Sequence, residues 1–135
     1  MKPLDRTIGF IRGTAVDRVP FHPILMRFAA CHAGVRYRDF CLSPAHKCIA
    51  NIRCAEDFRS DWVNTMSDPW AEAEAFGTVL SYPDDDLPKV ERHAIGEISD
   101  IDRMTVLRPG DHRRMLARVE EIEIYRRDTA GVLFI

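Results

Sequence analysis

The sequence predicts an α/β fold with parallel strands, and three observations carry that reading. A helix starting at Ser43-Pro44 separates an extended run near Phe21 from another near Trp62. A crossover helix between neighbouring strands implies a parallel, right-handed βαβ unit. The second run, Trp62-Val63-Asn64-Thr65-Met66, ends at Ser67-Asp68, followed by a short helical segment and Gly77. The third observation is Gly131-Val132-Leu133-Phe134-Ile135, a buried-strand pattern that follows a further helix.

Taken in order, Leu4, Ile8 and Ile11 lie at helical spacing, and Gly13 stops that helix. Phe21–Met26 reads as a short first strand, with Pro20 and Pro23 excluding a helix there and restricting any central strand. Residues 27–38 mix small residues with Arg27, Arg36 and Arg38, which suggests a loop or a broken helix. Ser43 is a helix cap and Pro44 a first helical residue. Ala45, Cys48, Ile49, Ile52, Ala55 and Phe58 then mark an apolar face running to about Phe58. Pro69 and Gly77 bound the helix after Asp68.

Thr78–Tyr82 and Lys89–Ile95 read as two strands outside the main sheet, joined by Pro83-Asp84-Asp85-Asp86-Leu87-Pro88. The three aspartates lack the alternation and later glutamate of an EF-hand loop, so a solvated acidic turn is expected. Ile98–Met104 is a short helix. A longer one spans about Asp111 to Arg127, with Met115, Leu116, Val119, Ile122 and Tyr125 as its apolar stripe. Its charges, Arg113, Arg114, Arg118, Glu120, Glu121 and Glu123, are expected on a solvated face.

Composition bounds the function. The chain of 135 residues has room for one small domain with a core, over residues 1–135. A net charge of -2 gives no bulk attraction to nucleic acid or an anionic membrane. No apolar run is long enough to span a bilayer, and Met1–Arg6 lacks a signal-peptide core, so a cytoplasmic location is expected. Cys31, Cys41, Cys48 and Cys54 have no C-x-x-C spacing and are expected as reduced thiols, several of them buried. Cys31-His32 is a pair of ligand types without partners, so no metal site is expected here.

Sites in α/β proteins sit at the C-terminal ends of strands, which makes Asp68 the first candidate for a working residue. The alternative is that Asp68, or Ser67, caps the following helix. His22, at the mouth of the first strand, is a further candidate beside a purely structural role. Three main parallel strands fit either a small α/β protein or the front part of a larger barrel, which needs about 250 residues. Alone, such a sheet has an open edge that invites self-association.

Several runs in order resemble the N-terminal part of the uroporphyrinogen decarboxylase superfamily. They are Asp17-Arg18-Val19-Pro20, Met26-Arg27, Ala33-Gly34 with Tyr37, Ser43-Pro44, and Ser67-Asp68 followed by Glu72-Ala73-Glu74-Ala75-Phe76-Gly77. The resemblance covers essentially the whole chain and less than half of a family member. It implies a (β/α)8 barrel represented by its first three strands. It implies that Asp68 is the catalytic carboxylate that holds substrate N–H groups, with Ser67 beside it. It implies that Arg27, and Arg36 in place of the second signature arginine, bind substrate carboxylates, although extra residues separate the two here.

The Asp-Arg-Val-Pro opening and the Glu-Ala-Glu-Ala helix look more like the corrinoid-dependent methyltransferase branch. That branch moves a methyl group between a corrinoid protein and a thiol such as coenzyme M. It uses zinc held by residues of a C-terminal half outside this chain, so no cofactor is expected on this segment. The expected partners are thus a tetrapyrrole or corrinoid substrate and a corrinoid protein. The alternatives are a true uroporphyrinogen decarboxylase of porphyrin biosynthesis, and a non-catalytic chain that works only in assembly with a partner.

Overall fold

The computed structural model describes residues 1–66 and 68–135. Six α-helices and one antiparallel strand pair are described. Helix α1 (Pro3–Ile11) starts with proline in its first turn, and Gly13 follows it at φ +70°. Helices α2 (Met26–Ala33) and α3 (Tyr37–Leu42) are one broken helical stretch. Gly34, at φ +71°, makes the break; few other residues hold that backbone value without strain. Helix α4 (Pro44–Phe58) begins as the Ser-Pro pair requires, with Ser43 Oγ accepting the His46 N–H at 3.4 Å. Helix α5 (Ala71–Ala75) is a single short turn.

Strands β1 (Val79–Ser81) and β2 (Lys89–Arg92) form the expected hairpin, with an irregularity between Val79 and Leu80. Two 3-10 turns, Ile98–Arg103 and Pro109–Asp111, lead to α6 (Arg113–Asp128). None of the described helices is long and apolar enough to cross a membrane.

The three parallel strands are reduced to short contacts. Trp62 forms one parallel bridge with Phe134, and the Asp61 N–H donates to the Phe21 carbonyl at 2.9 Å. No described strand covers Phe21–Met26. Pro20 and Pro23 have no N–H to offer a ladder, and the chain turns into α2 at Met26. Beyond Trp62 the cause is different. The Asn64 carbonyl accepts from Asn51 Nδ2 (3.2 Å) and from the Tyr125 hydroxyl (2.9 Å). Lys47 Nζ donates to the Thr65 carbonyl at 3.3 Å. Side chains of α4 and α6 thus take acceptors that a neighbouring strand would use.

The faces of α4 and α6 differ from the expected ones. Ile49, Phe58, Val119 and Ile122 are exposed, whereas Lys47, Asn51, Arg114 and Glu121 are buried. The inward stripe of α6 is Arg114, Ala117, Glu121 and Tyr125, still at helical spacing but rotated. Reading apolarity alone misassigns it, because two of its four members are charged and paired inside. Cys48, Ala55, Val63 and Tyr125 form one core cluster between α4, α6 and the Trp62 segment. Ala29, Ala30, Tyr37, Phe40, Cys41, Ala50 and Cys54 form another, between α2, α3 and α4.

Candidate active site

Asp68 lies six residues beyond the Trp62 bridge, at the C-terminal end of that segment. Its side chain is fully buried. Oδ1 accepts the Trp70 N–H at 3.0 Å, so the residue does tie down the turn before α5. Oδ2 pairs with Arg114 Nη2, which reaches over from α6. The same guanidinium donates through Nη1 to the Tyr82 hydroxyl and to Glu74 Oε2 at 3.3 Å. Tyr82 in turn donates to Glu74 Oε2 at 2.7 Å.

Arg114 also lies over the Tyr82 ring, 5.5 Å from its centroid. Burial works against its charge, but the Tyr82 hydrogen bond and the Asp68 and Glu74 carboxylates outweigh that and raise its pKa. Burial pushes the Tyr82 phenol up to about 12, with Arg114 opposing and Glu74 adding to the shift. The phenol is therefore a proton-bearing donor at neutral pH, and Arg114 is a fixed cation.

Asp68 borders a cavity of about 650 Å³ lined also by Met26, Asn64, Thr65, Met66 and Arg118. Met26 has φ +33°, an uncommon value for a residue with a side chain, and it stands where the first extended run gives way to α2. Behind Thr65, Lys47 Nζ bonds Glu121 Oε1 at 2.6 Å, and both side chains are 1% exposed. Arg118 reaches the same oxygen at 3.4 Å. Glu121 Oε2 has no hydrogen-bond partner among the described residues. Burial lowers the Lys47 pKa and raises that of Glu121, against the attraction between the two.

The expected anion-binding residues are brought together at Tyr37, which lies within electrostatic reach of both Arg27 and Asp68. Arg27 and Arg36 both border a second cavity, of about 410 Å³. Arg27 Nη2 donates to the Asp85 carbonyl and Nη1 lies 3.7 Å from Asp86. Arg36 bonds Asp39 at 2.9 Å and lies 3.9 Å from Asp84. The acidic turn is exposed as expected, yet its charges face arginines. His22 stacks on Trp62 with centroids 4.4 Å apart, and desolvation lowers its pKa. It therefore sits level with the start of the Trp62 segment, six residues before Asp68 in sequence. Ser67 lies outside the described residues.

A family model for uroporphyrinogen decarboxylase (URO-D) matches residues 2–134. The chain belongs to the uroporphyrinogen decarboxylase family. Among solved structures it is similar to a methyltransferase from Methanosarcina mazei, with a TM-score of 0.68 and 16% sequence identity. That match covers 95% of this chain and 39% of the methyltransferase, so the chain spans well under half of that protein's length. The likeness is one of fold. No match is found among curated proteins.

Two features of this uroporphyrinogen decarboxylase family chain were not legible as site residues. Arg114 and Tyr82 are 46 and 14 residues from Asp68 in sequence, and nothing local in either marks a contact with it. Arg114 stood among six charges of one amphipathic helix. The Asp-Arg-Val-Pro run, in contrast, proves to be a structural device. Arg18 bonds Asp61 through both terminal nitrogens, at 2.5 and 3.0 Å, and the Phe21 N–H donates to Asp61 at 2.7 Å. Arg6 from α1 pairs with Asp61 and holds Asp17 at 2.6 and 2.8 Å.

Proposed function

We propose that the chain forms the N-terminal part of a (β/α)8 barrel and that this barrel transfers a methyl group from a corrinoid protein to a thiol. Asp68 is the central residue of the reading. The observation that carries it is a buried carboxylate, held by a fixed cation, at the C-terminal end of a parallel segment and on the wall of a 650 Å³ cavity. The fold likeness to a methyltransferase supports the choice of branch.

In this arrangement Trp70 and Arg114 orient the carboxylate, and Glu74 and Tyr82 orient Arg114. The carboxylate accepts substrate N–H groups, or offsets positive charge that develops on the substrate, once Arg114 yields part of its hold. The low-polarity surroundings strengthen both effects. Zinc, which activates a thiol in the branch resembled, is not fitted by the described residues. No group of three His, Cys, Asp or Glu side chains comes together among the described residues.

The test is methyl transfer from methylcobalamin to coenzyme M by the complete gene product, followed by the absorbance change of the corrinoid. Transfer that falls sharply in Asp68→Asn supports the reading. Decarboxylation of uroporphyrinogen without methyl transfer would favour the decarboxylase instead. One observation speaks for that second reading: Arg27 and Arg36 both face carboxylates. A third reading, assembly with a partner or a second copy, draws on the His22–Trp62–Phe134 stack, a row of rings at the Trp62–Phe134 bridge. A concentration-dependent sedimentation coefficient would support it.

A further inference from the structure

The Asp84–Asp86 turn sits on three arginines. Besides Arg27 and Arg36, Arg38 lies 3.7 Å from Asp84 through Nη1, and its backbone N–H donates to the Asp84 carbonyl at 3.0 Å. The three cations come from one broken helical stretch, α2 and α3, folded at Gly34. The turn comes from the β1–β2 hairpin, almost fifty residues later. Its carboxylates therefore stand where the carboxylates of a small anionic ligand would stand, beside the 410 Å³ cavity bordered by Arg27, Arg36 and Tyr37.

We propose that this turn is a displaceable occupant of the arginine cluster: the chain's own aspartates hold the site until an anionic ligand bearing several carboxylates competes them away. The proposal rests on the reading that Arg27 and Arg36 bind anionic groups, and adds the gate. Three physical features make the turn displaceable. The side chains of Arg27, Arg36, Arg38, Asp84 and Asp86 are all half or more exposed, so each ion pair is weak and screened by salt. Pro83 and Pro88 bracket the turn and have no N–H, so they offer no donors to bind it to the strands. The strands that carry it are only three and four residues long. A ligand with several carboxylates replaces the aspartates charge for charge, and it pays no loop-ordering cost for the turn it frees.

Displacement has a quantitative signature. Apparent affinity is the intrinsic affinity reduced by the fraction of open sites, so a turn docked nine tenths of the time weakens binding about tenfold. The experiment uses citrate as probe at low ionic strength, with calorimetry on the whole chain. The triple substitution Asp84→Asn, Asp85→Asn, Asp86→Asn is expected to bind citrate about tenfold more tightly than the parent. The same charge change placed elsewhere, Asp5→Asn, Asp102→Asn, Glu123→Gln, is expected to leave affinity near the parent's. Arg27→Gln with Arg36→Gln is expected to abolish binding in either background. Citrate is also expected to speed hydrogen exchange at the Arg38 amide, whose acceptor is the Asp84 carbonyl.

Equal affinity in the parent and the turn variant, with binding still lost in the arginine variant, would overturn the gate and leave the arginine site standing. An equal gain in the control variant would assign the effect to bulk charge and also overturn the gate. No binding by parent or turn variant would overturn both.

Discussion

Asp61 and Asp68 lie seven residues apart on one segment, and both carboxylates are fully buried and held by arginine. Asp61 accepts from Arg6, from Arg18 twice and from the Phe21 N–H, and ties α1, the Asp17–Pro20 loop and the first extended run to the Trp62 segment. Among the described residues Asp68 accepts from Arg114 of α6 and from the Trp70 N–H of its own turn, and it borders a 650 Å³ cavity. Burial and an arginine partner are thus shared by a structural clamp and a candidate catalytic group. What separates them is their surroundings. The Asp61 donors come from α1 and from the loop of residues 18–21; Asp68 is bonded by α6 and by its own turn and also lines a cavity.

The largest effect is expected from Asp61→Ala, which removes the buried acceptor shared by Arg6, Arg18 and the Phe21 N–H and should cost about 3 kcal/mol or more, read by urea unfolding. A loss below about 1 kcal/mol would remove the distinction between the two carboxylates. Next comes Lys47→Met. Leaving Glu121 in the core with only the 3.4 Å contact to Arg118 in place of the Lys47 pair should cost about 3 kcal/mol, and adding Glu121→Leu should restore most of it, because a buried pair can be replaced by packed apolar groups. Asp68→Asn keeps an acceptor for the Trp70 N–H, so its stability cost should be about 1.5 kcal/mol. Its turnover in the complete gene product should fall roughly 100-fold. Equal fractional loss of stability and activity would make Asp68 a second clamp. Tyr82→Phe removes a hydrogen bond to Arg114 and should cost only about 1 kcal/mol.

Acid sharpens the same contrast. The Arg6 hydrogen bond and the N-terminal ammonium hold Asp17 below its usual 3.8. At Asp61 burial acts the other way, but the Phe21 N–H, Arg18 and Arg6 outweigh it and lower the pKa. A depressed carboxyl contributes stability that is present above the unfolded value and is lost as pH falls through the folded one. Unfolding followed by circular dichroism from pH 5 downward should therefore be steep in the parent and shallower in Asp61→Asn.

Much of the local layout was legible. Ser43-Pro44 marks the start of α4, Gly13 and Gly77 supply left-handed positions, and alternation around the acidic turn marks the hairpin. The order of motifs identified the family. The first strand was misread because the two prolines, already expected to restrict a central strand, leave the run without the donors a ladder needs. The inward face of α6 was misread because charges were assigned to solvent.

Cap, breaker and turn signals act over a few residues, so residue order alone settles where helices begin and end and where the hairpin turns. Charge pairing over longer separations was left to the tertiary structure. Lys47 meets Glu121 across 74 residues, Arg6 meets Asp61 across 55 and Arg114 meets Asp68 across 46. Each of these charges is costly to bury alone and acceptable once paired, so only the packed molecule decides which charges go inside. That is why the chain order could nominate Asp68, while the fold was needed to show what holds it.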